Sequence, residues 1–189
     1  LSSRPMSLFL LKRLATFVDV SCGGAEIPDL FEPGAGALGI PTPPQFDALR
    51  AGTSLVTVGI GGNDAEIASA GLRCVNLLPV PLGPAPFGRP CVDRFVHDGV
   101  DELGTKIVEV RARLDDVLAE IRRRSPHAEV YVVGYGQAYA DDGPDADGCW
   151  PRAPMLTPDV HYIRAKLHQI NEALADAVRT AGPGVHFVD

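Results

Sequence analysis

The sequence predicts an α/β fold in which a single domain, residues 1–189, forms a parallel, doubly wound sheet. Short apolar runs of strand length alternate along the chain with amphipathic patterns of helical period. A composition of 46% hydrophobic and 22% charged residues is typical of one globular domain with a core of moderate size. Since right-handed crossovers place functional loops at the carboxyl ends of parallel strands, the segments that follow predicted strands are the first candidates for a site.

Four apolar runs predict the strands. Continuous runs of this length are typical of parallel strands that are covered on both faces. The predicted strands are residues 16–20, 55–60, 129–134 and 185–189, and a short helix over residues 7–14 precedes the first.

Two long amphipathic helices are predicted from apolar residues that recur at three- and four-residue steps. The first contains Val100, Leu103, Ile107, Val110, Leu114, Val117 and Ile121, and stops near Ser125 and Pro126. The second contains Val160, Ile163, Leu167, Ile170, Leu174 and Val178. A shorter helical pattern covers residues 45–50, while the Pro- and Gly-rich residues 28–44 and 77–90 and the polar residues 141–158 predict loops.

Charge and cysteine usage narrow the class of protein. A net charge of -7 with interspersed signs offers no basic patch, so we expect no nucleic-acid partner. No apolar run approaches the roughly 20 residues of a transmembrane helix, and the start of the chain is not a complete signal peptide. The four cysteines show no zinc spacing, so oxidised pairing outside the cytosol, and hence secretion, is expected.

The sharpest local signal is the segment VTVGIGGND at residues 56–64, where a buried strand leads onto a glycine turn. The amide of Asn63 can donate a hydrogen bond to the oxygen that becomes negative in acyl transfer, and the backbone N–H of Gly24 can supply a second donor. The alternative interpretation is a plain turn in which Asn63 or Asp64 caps the next helix.

Two other ligand classes are weaker candidates. The chain contains neither the G-x-G-x-x-G fingerprint nor a G-x-x-x-x-G-K-[ST] loop, which argues against a nucleotide site. The acidic stretch DDGPDADG at residues 141–148 could hold calcium, but it lacks the spacing and terminal Glu of an EF-hand, and a solvated loop explains it as well.

Several segments in order resemble the secreted actinobacterial SGNH (GDSL) hydrolases. FVDVSCGGA at residues 17–25 looks like their second conserved block, and residues 55–64 look like their third, the G-x-N-D block. Similar segments in matching places are PPQFDAL at residues 43–49, the loop from Cys74 to Cys91, VVGY at residues 132–135 and GCWP at residues 148–151. The resemblance therefore covers nearly the whole chain.

The resemblance implies a flavodoxin-like, three-layer α/β/α sheet and a carboxylic ester hydrolase, an esterase or lipase. A serine nucleophile would act through an acyl-enzyme on a small-molecule or lipid ester, with Gly24 and Asn63 in the oxyanion hole and no cofactor or metal. The family's nucleophile lies in a G-D-S motif and its base in a D-x-x-H motif, and this sequence contains neither. We therefore expect a domain that is incomplete at both ends, and a non-catalytic remnant or ligand-binding module of the same fold remains the alternative.

The other serines and histidines offer no replacement. No serine lies in a G-D-S motif or a G-x-S-x-G elbow. For the five histidines, His97, His127, His161, His168 and His186, we expect solvated or structural roles, because no neighbouring pattern supplies an acid-base partner.

Cysteine spacing predicts one disulfide, between Cys74 and Cys91, which bracket a proline-rich loop. In the family, the counterparts of Cys22 and Cys149 pair with cysteines nearer the two termini, and no such partners exist here. A direct bridge between Cys22 and Cys149 stays open.

The family's strand order, 2-1-3-4-5, would place an absent strand between residues 16–20 and 55–60. Two buried strands would then lack ladder partners at about 1 to 3 kcal/mol for each unsatisfied group, so we expect the chain to fold poorly by itself. Acyl and alcohol specificity would depend on residues 28–44 and 77–90, and neither this specificity nor the oligomeric state follows from the sequence.

Overall fold

A computed structural model describes residues 16–35, 40–78, 86–141, 143, 147–148 and 150–189. The short helix expected over residues 7–14 lies outside these residues. In chain order the elements are α1 (Pro28–Phe31), β1 (Gly34–Ala35), β2 (Pro41–Thr42), a 3-10 helix (Gln45–Ala48), β3 (Leu55–Val58), α2 (Ile67–Arg73), α3 (Val92–Phe95), β4 (Val96–His97), β5 (Val100–Asp101), α4 (Glu102–Arg124), β6 (Glu129–Val133), α5 (Thr157–Thr180) and β7 (Val185–Val188).

The central sheet is parallel and has the order β3-β6-β7. Its register pairs Val58 with Val132, and Val132 in turn with Phe187. This arrangement confirms the predicted α/β class, in which apolar strands alternate with helical crossovers. Three of the four predicted strands are present within one or two residues of their expected ends.

The core lies between this sheet and the two long helices. Helices α4 and α5 pack against each other, and their apolar stripes are buried as the three- and four-residue steps predicted. Fully buried members of the stripes are Leu103, Ile107, Val110, Val117, Ile121, Val160, Ile170 and Leu174. On the opposite face of the sheet, Thr57 and His186 are exposed.

Residues 16–20 do not form the predicted strand. They have no strand assignment, and Phe17 and Val18 are 42% and 62% exposed. A strand needs a neighbour for its ladder, and within the described residues β3 pairs only with β6 and no strand pairs with residues 16–20. The prediction of a buried strand here is therefore wrong for this structure.

Two boundaries also differ from the predictions. Residues 28–44, expected to be a loop, contain helix α1 and the short antiparallel pair β1-β2. Val100, counted as the first apolar residue of a helix, lies in β5 and is 49% exposed. The helix begins at Glu102 instead, because the carboxylate of Asp101 accepts a hydrogen bond from Gly104 N at 3.1 Å and so forms the cap.

The predicted disulfide joins Cys74 to Cys91, with their Cα atoms 5.0 Å apart, and both cysteines are fully buried. The carboxylate of Asp159 accepts a hydrogen bond from Val92 N at 2.9 Å, which holds the bridge against α5. Cys22 is exposed and free, and Cys149 lies outside the described residues. Within the part of the chain that the structure describes, no helix combines the length and the apolar character needed to cross a bilayer.

A buried polar cluster joins the two long helices. Lys166, only 7% exposed, donates to Asp101 and, at 2.7 Å, to the side-chain oxygen of Gln169. The hydroxyl of Tyr162 donates to the other oxygen of Asp101 at 2.7 Å. Burial alone would raise the pKa of Asp101, but the hydrogen bonds from Lys166 and Tyr162 outweigh it and lower that pKa.

Candidate functional site

The turn Gly61-Gly62-Asn63-Asp64 follows β3 at the carboxyl end of the sheet, where ligands of parallel sheets bind. Asn63 Nδ2 donates to the carbonyl oxygen of Ala25 at 2.8 Å. Gly24, one residue before Ala25, has a φ of +87°, and a Cβ placed there would meet no atom within 4 Å. The two segments that the sequence singles out are therefore joined by a direct hydrogen bond.

Asp64 makes a second connection between the same segments. Its side chain is 5% exposed, and its two oxygens accept from Ile27 N at 3.1 and 3.0 Å. Arg113 Nη1 lies 3.1 Å from Oδ1 of the same carboxylate. Burial raises the pKa of Asp64, while the Ile27 N–H and the Arg113 guanidinium oppose that rise.

The glycines of the turn are required by close contacts. Gly61 has a φ of +101°, and a Cβ there would lie 2.7 Å from Val110 Cγ1. A Cβ on Gly62 would lie 2.6 Å from Tyr135 Cζ. Any larger residue at either position would displace the turn that carries Asn63.

The alternative in which Asn63 or Asp64 caps the next helix is wrong. The cap residue of α2 is Glu66, which has a φ of 55° and makes no side-chain capping bond. The polar atoms of both side chains point instead to the segment of residues 25–27. They link two separate loops rather than complete a helix end.

Tyr135, which lies just beyond β6, contacts the turn through its side chain. Its hydroxyl accepts a hydrogen bond from Gly62 N at 2.8 Å, and burial raises the pKa of Tyr135. Its backbone N–H donates to Asn171 Oδ1, and its carbonyl accepts from Asn171 Nδ2, both at 2.8 Å. From the sequence, Tyr135 stands out only as part of the VVGY segment, and Asn171 was not predicted, although an Asn beside Ile170 on a buried helical stripe is a visible signal.

An apolar cavity of about 380 Å³ adjoins the turn. It lies among α2, the segment after β6, residues 153–155 and α5. Among the described residues, none that lines it carries a formal charge: Gly62, Asn63, Ile67, Ala68, Gly71, Leu72, Val75, Tyr135, Ala138, Tyr139, Ala153, Pro154, Met155, Ile163 and Leu167. Of these, Asn63 is the one residue with a side-chain amide.

The described serines and the histidines do not assemble into a nucleophile and base. Ser21 donates to the carboxylate of Asp19, Ser69 in α2 donates to the carbonyl of Glu66, and buried Ser125 donates to the carbonyl of Arg50 at 2.9 Å. Four histidines form surface pairs with carboxylates at 2.7–2.8 Å: His97 with Glu102, His161 with Asp147, His168 with Asp141 and His186 with Glu129. None of the described serines hydrogen-bonds to a histidine.

Metal-binding potential is low in the described part of the chain. The only group found there with suitable spacing is Cys74, Cys91 and Asp159, and its two sulfurs are bonded to each other. Of the acidic stretch that the calcium hypothesis used, Asp141 and Asp147 pair with histidines, while residues 142 and 144–146 lie outside the description.

A parallel α/β sheet with a glycine-Asn turn at its carboxyl end and an apolar cavity beside it defines an α/β protein with a candidate ligand site at the usual edge of the sheet. Residues 9–189 match the model of the GDSL-like lipase/acylhydrolase family, and the chain belongs to that family. It is 33% identical over 174 residues to a Streptomyces coelicolor protein named Lipase 2, and 33% identical over 191 residues to a Streptomyces scabiei protein named Esterase.

These alignments cover 89% and 90% of this chain, and 53% of each relative, so the chain spans about half the length of the curated proteins it matches. Among solved structures it is similar to a phospholipase A1 of Streptomyces albidoflavus, with a TM-score of 0.71 and 24% identity over 97% of this chain and 64% of that one. An extracellular lipase of Streptomyces rimosus gives a TM-score of 0.63 and 26% identity over 88% and 57% of the two chains.

Proposed function

We propose that the protein is a carboxylic ester hydrolase, an esterase or lipase that acts through a serine acyl-enzyme, with Asn63 and Gly24 in its oxyanion hole. The observation that carries this proposal is the orientation of the Asn63 amide. One of its two hydrogens is held by the carbonyl of Ala25, and no described residue accepts the other. Asn63 is also one of the residues that line the apolar cavity.

The proposed reaction is acyl transfer in two steps. A serine oxygen attacks the acyl carbon, a histidine takes the serine proton and returns it to the departing alcohol, and water then releases the acid by the same route. The carbonyl oxygen of the ester becomes negative in both steps, and the second Asn63 hydrogen with the Gly24 N–H would stabilise it. The serine and histidine are not among the residues that the described structure brings together.

Secretion is part of the same proposal. A buried disulfide between Cys74 and Cys91 suits an oxidising compartment. The similar lipase of Streptomyces rimosus is described as extracellular. Activity recovered from the culture medium of a producing strain, and absent from its cytosol, is the expected result.

A second candidate is a non-catalytic ligand-binding module of the same fold. The observation in its favour is that the cavity is formed although none of the described serines contacts a histidine. Saturable binding of an ester without turnover by the natural full-length protein would support the module and contradict the hydrolase.

The decisive experiment measures ester hydrolysis by the natural full-length protein and its Asn63→Ala variant. The expected result is a fall in kcat of about a hundredfold or more, because one donor to the oxyanion is lost. Asn76→Ala is not a matched control, since Asn76 is fully buried and bridges Arg89 and Gly88. Gln137→Ala is better, because Gln137 is an exposed amide outside the cavity wall and should leave kcat unchanged.

A further inference from the structure

Gly71 occupies a helical position that has no structural need for glycine. It lies inside α2 (Ile67–Arg73), where glycine is about 1 kcal/mol less favourable than alanine. Its φ is not in the left-handed region, and a Cβ placed on it would meet no atom within 4 Å. By contrast, Gly61 in the same segment has both a positive φ and a close neighbour. The absence of a side chain at Gly71 therefore calls for another explanation.

The explanation lies in what Gly71 faces. Gly71 and Ala68, three residues apart and so on one side of the helix, both line the apolar cavity. Other segments contribute bulkier groups to the wall, among them Tyr139, Met155 and Leu167. The absence of a side chain at Gly71 leaves open space at its own part of the wall.

The position of Gly71 along the cavity is defined by the helix. Ile67 N bonds to the carbonyl of Gly62 at 3.1 Å, so the start of α2 adjoins the turn that carries Asn63. Gly71 lies four residues further along, a rise of about 6 Å at 1.5 Å per residue. A chain that began at the Asn63 amide and ran along α2 would pass Gly71.

The chemistry of the cavity wall determines which kind of ligand fits. No lining residue that the structure describes carries a formal charge, and the hydroxyl of Tyr135 accepts a hydrogen bond from Gly62 N. The hydroxyl of Tyr139 faces the sulfur of Met155 at 3.6 Å. A neutral, linear hydrocarbon chain fits such a wall, while a charged or sugar-like group would leave its polar atoms unpaired.

We propose that the cavity holds the acyl chain of the ester and that Gly71 sets the longest chain it accepts. The substrate part of this inference rests on the proposed ester hydrolase. A cavity of about 380 Å³ lies within the usual size range of small-molecule sites, and it offers room for an acyl chain of medium length. Each buried methylene group should strengthen binding about fourfold until the chain reaches the wall.

The test compares the natural full-length protein with Gly71→Leu on p-nitrophenyl esters of four, eight, twelve and sixteen carbons. The quantity compared is the ratio of kcat/KM for each longer ester to kcat/KM for the four-carbon ester, which cancels any general loss of activity in Gly71→Leu. In Gly71→Leu this ratio should fall about a hundredfold or more for the longest ester that the wild-type protein accepts, since a Leu side chain removes the space of about four methylene groups. Gly52→Leu is the matched control, because Gly52 also has open space around it but lies outside the cavity wall, and its chain-length profile should be unchanged.

A second variant keeps the test valid if Gly71→Leu does not fold. Gly71→Ala favours the helix, and it should lower kcat/KM for the longest accepted ester by about fourfold, the equivalent of one methylene group. An active enzyme whose chain-length profile is the same in wild type, Gly71→Ala and a folded Gly71→Leu would overturn the inference and leave the hydrolase intact.

A binding measurement separates this inference from the proposed function. Titration with 1-decanol, a neutral probe that needs no turnover, should show saturable binding to wild type and at least tenfold weaker binding to Gly71→Leu. If decanol binding depends on Gly71 but no ester is hydrolysed, the cavity assignment stands and the hydrolase fails. If decanol does not bind the wild-type protein, the cavity assignment is wrong whatever the activity.

Discussion

The side-chain amide of Asn63 and the backbone carbonyl of Ala25 form a hydrogen bond of 2.8 Å between two loops that are 38 residues apart. An amide nitrogen carries two hydrogens, so this bond orients the group and leaves one hydrogen for a ligand. The carboxylate of the neighbouring Asp64 accepts a hydrogen bond from Ile27 N in the same loop. Two consecutive side chains thus hold the loop that contains Gly24 at a defined position.

Asp64→Ala should reduce both stability and activity. Removing the carboxylate leaves the Ile27 N–H without an acceptor and Arg113 without its partner, at about 1–3 kcal/mol in the free energy of unfolding. As a positioning residue, Asp64 should affect kcat more than KM in the full-length protein. Asp47→Ala is the control, since Asp47 is 59% exposed beside Arg124 and its loss should change stability by less than about 1 kcal/mol. Equal effects of the two variants on kcat would argue against this role.

The pKa of Asp64 should lie above its usual value near 3.8, because the carboxylate is buried. A group whose folded-state pKa is raised binds its proton more tightly when folded, so its contribution to the free energy of unfolding declines as pH rises through that pKa. Arg113→Ala should raise the pKa further, since the guanidinium lowers it. Carboxyl carbon shifts followed by NMR against pH measure both values, and a lower pKa in Arg113→Ala would contradict the assignment.

Lys166→Met should lower the free energy of unfolding by about 1–3 kcal/mol, because it removes the buried ammonium group that pairs with Asp101. Asp101 is partly exposed, so solvent screens part of this interaction. The pKa of Asp101 is lowered in the folded state, so the stability that this group provides is present above its unfolded pKa and is lost as pH falls through the folded one. Lys106→Met removes an exposed ion pair to Glu66 and should change stability by about 0–1 kcal/mol. Denaturant unfolding at several pH values distinguishes the two variants.

Replacement of both Cys74 and Cys91 by serine should lower the free energy of unfolding by about 3 kcal/mol, the value for a closed loop of 17 residues. The effect acts mainly on the unfolded chain, so the far-ultraviolet circular dichroism of the folded variant should be unchanged. Reduction of the wild-type protein should reproduce the shift in the midpoint. Cys22→Ser, at the exposed free cysteine, is the control and should leave the midpoint where it is.

Gly71→Ala and Gly61→Ala should have opposite effects on stability. Alanine at Gly71 enters a helix with open space around it and should stabilise the protein by about 0.5–1 kcal/mol. Alanine at Gly61 must adopt a φ of +101° and approach Val110, which should destabilise the protein by about 1–3 kcal/mol. Thermal unfolding of the pair is a direct comparison, and destabilisation by Gly71→Ala would show that glycine is structurally required there.

Sequence patterns predicted the parts of the fold that depend on local periodicity. The stripes from Leu103 to Ile121 and from Val160 to Leu174 identified both long helices, and continuous apolar runs identified three strands. The prediction of a strand at residues 16–20 was wrong because a strand needs a partner to pair with, as well as a suitable composition of its own. Similarly, only the cap at Asp101 shows that Val100 precedes the helix.

The residue at the centre of the candidate site could be predicted from the sequence, but the residues that line the adjoining cavity could not. Asn63 stood out because a buried strand leads directly onto its glycine turn, and whether it acts on an oxyanion stays a prediction. The described residues that line the cavity come from four separate segments, and they lie outside the two loops at residues 28–44 and 77–90 to which specificity was assigned. The periodicity of a single segment cannot show that residues from distant segments line the same cavity.

The side chain of Asn171, on helix α5, makes the two hydrogen bonds to Tyr135 that a neighbouring strand would otherwise make. Its one amide satisfies both the N–H and the C=O of a residue at the sheet's end. Because the hydroxyl of Tyr135 in turn accepts from Gly62 N, the turn is connected by hydrogen bonds to helix α5 and to the end of the sheet. A donor held in this way would need little reorganisation as charge develops on a substrate, which is the condition under which a single hydrogen bond contributes most to a reaction rate.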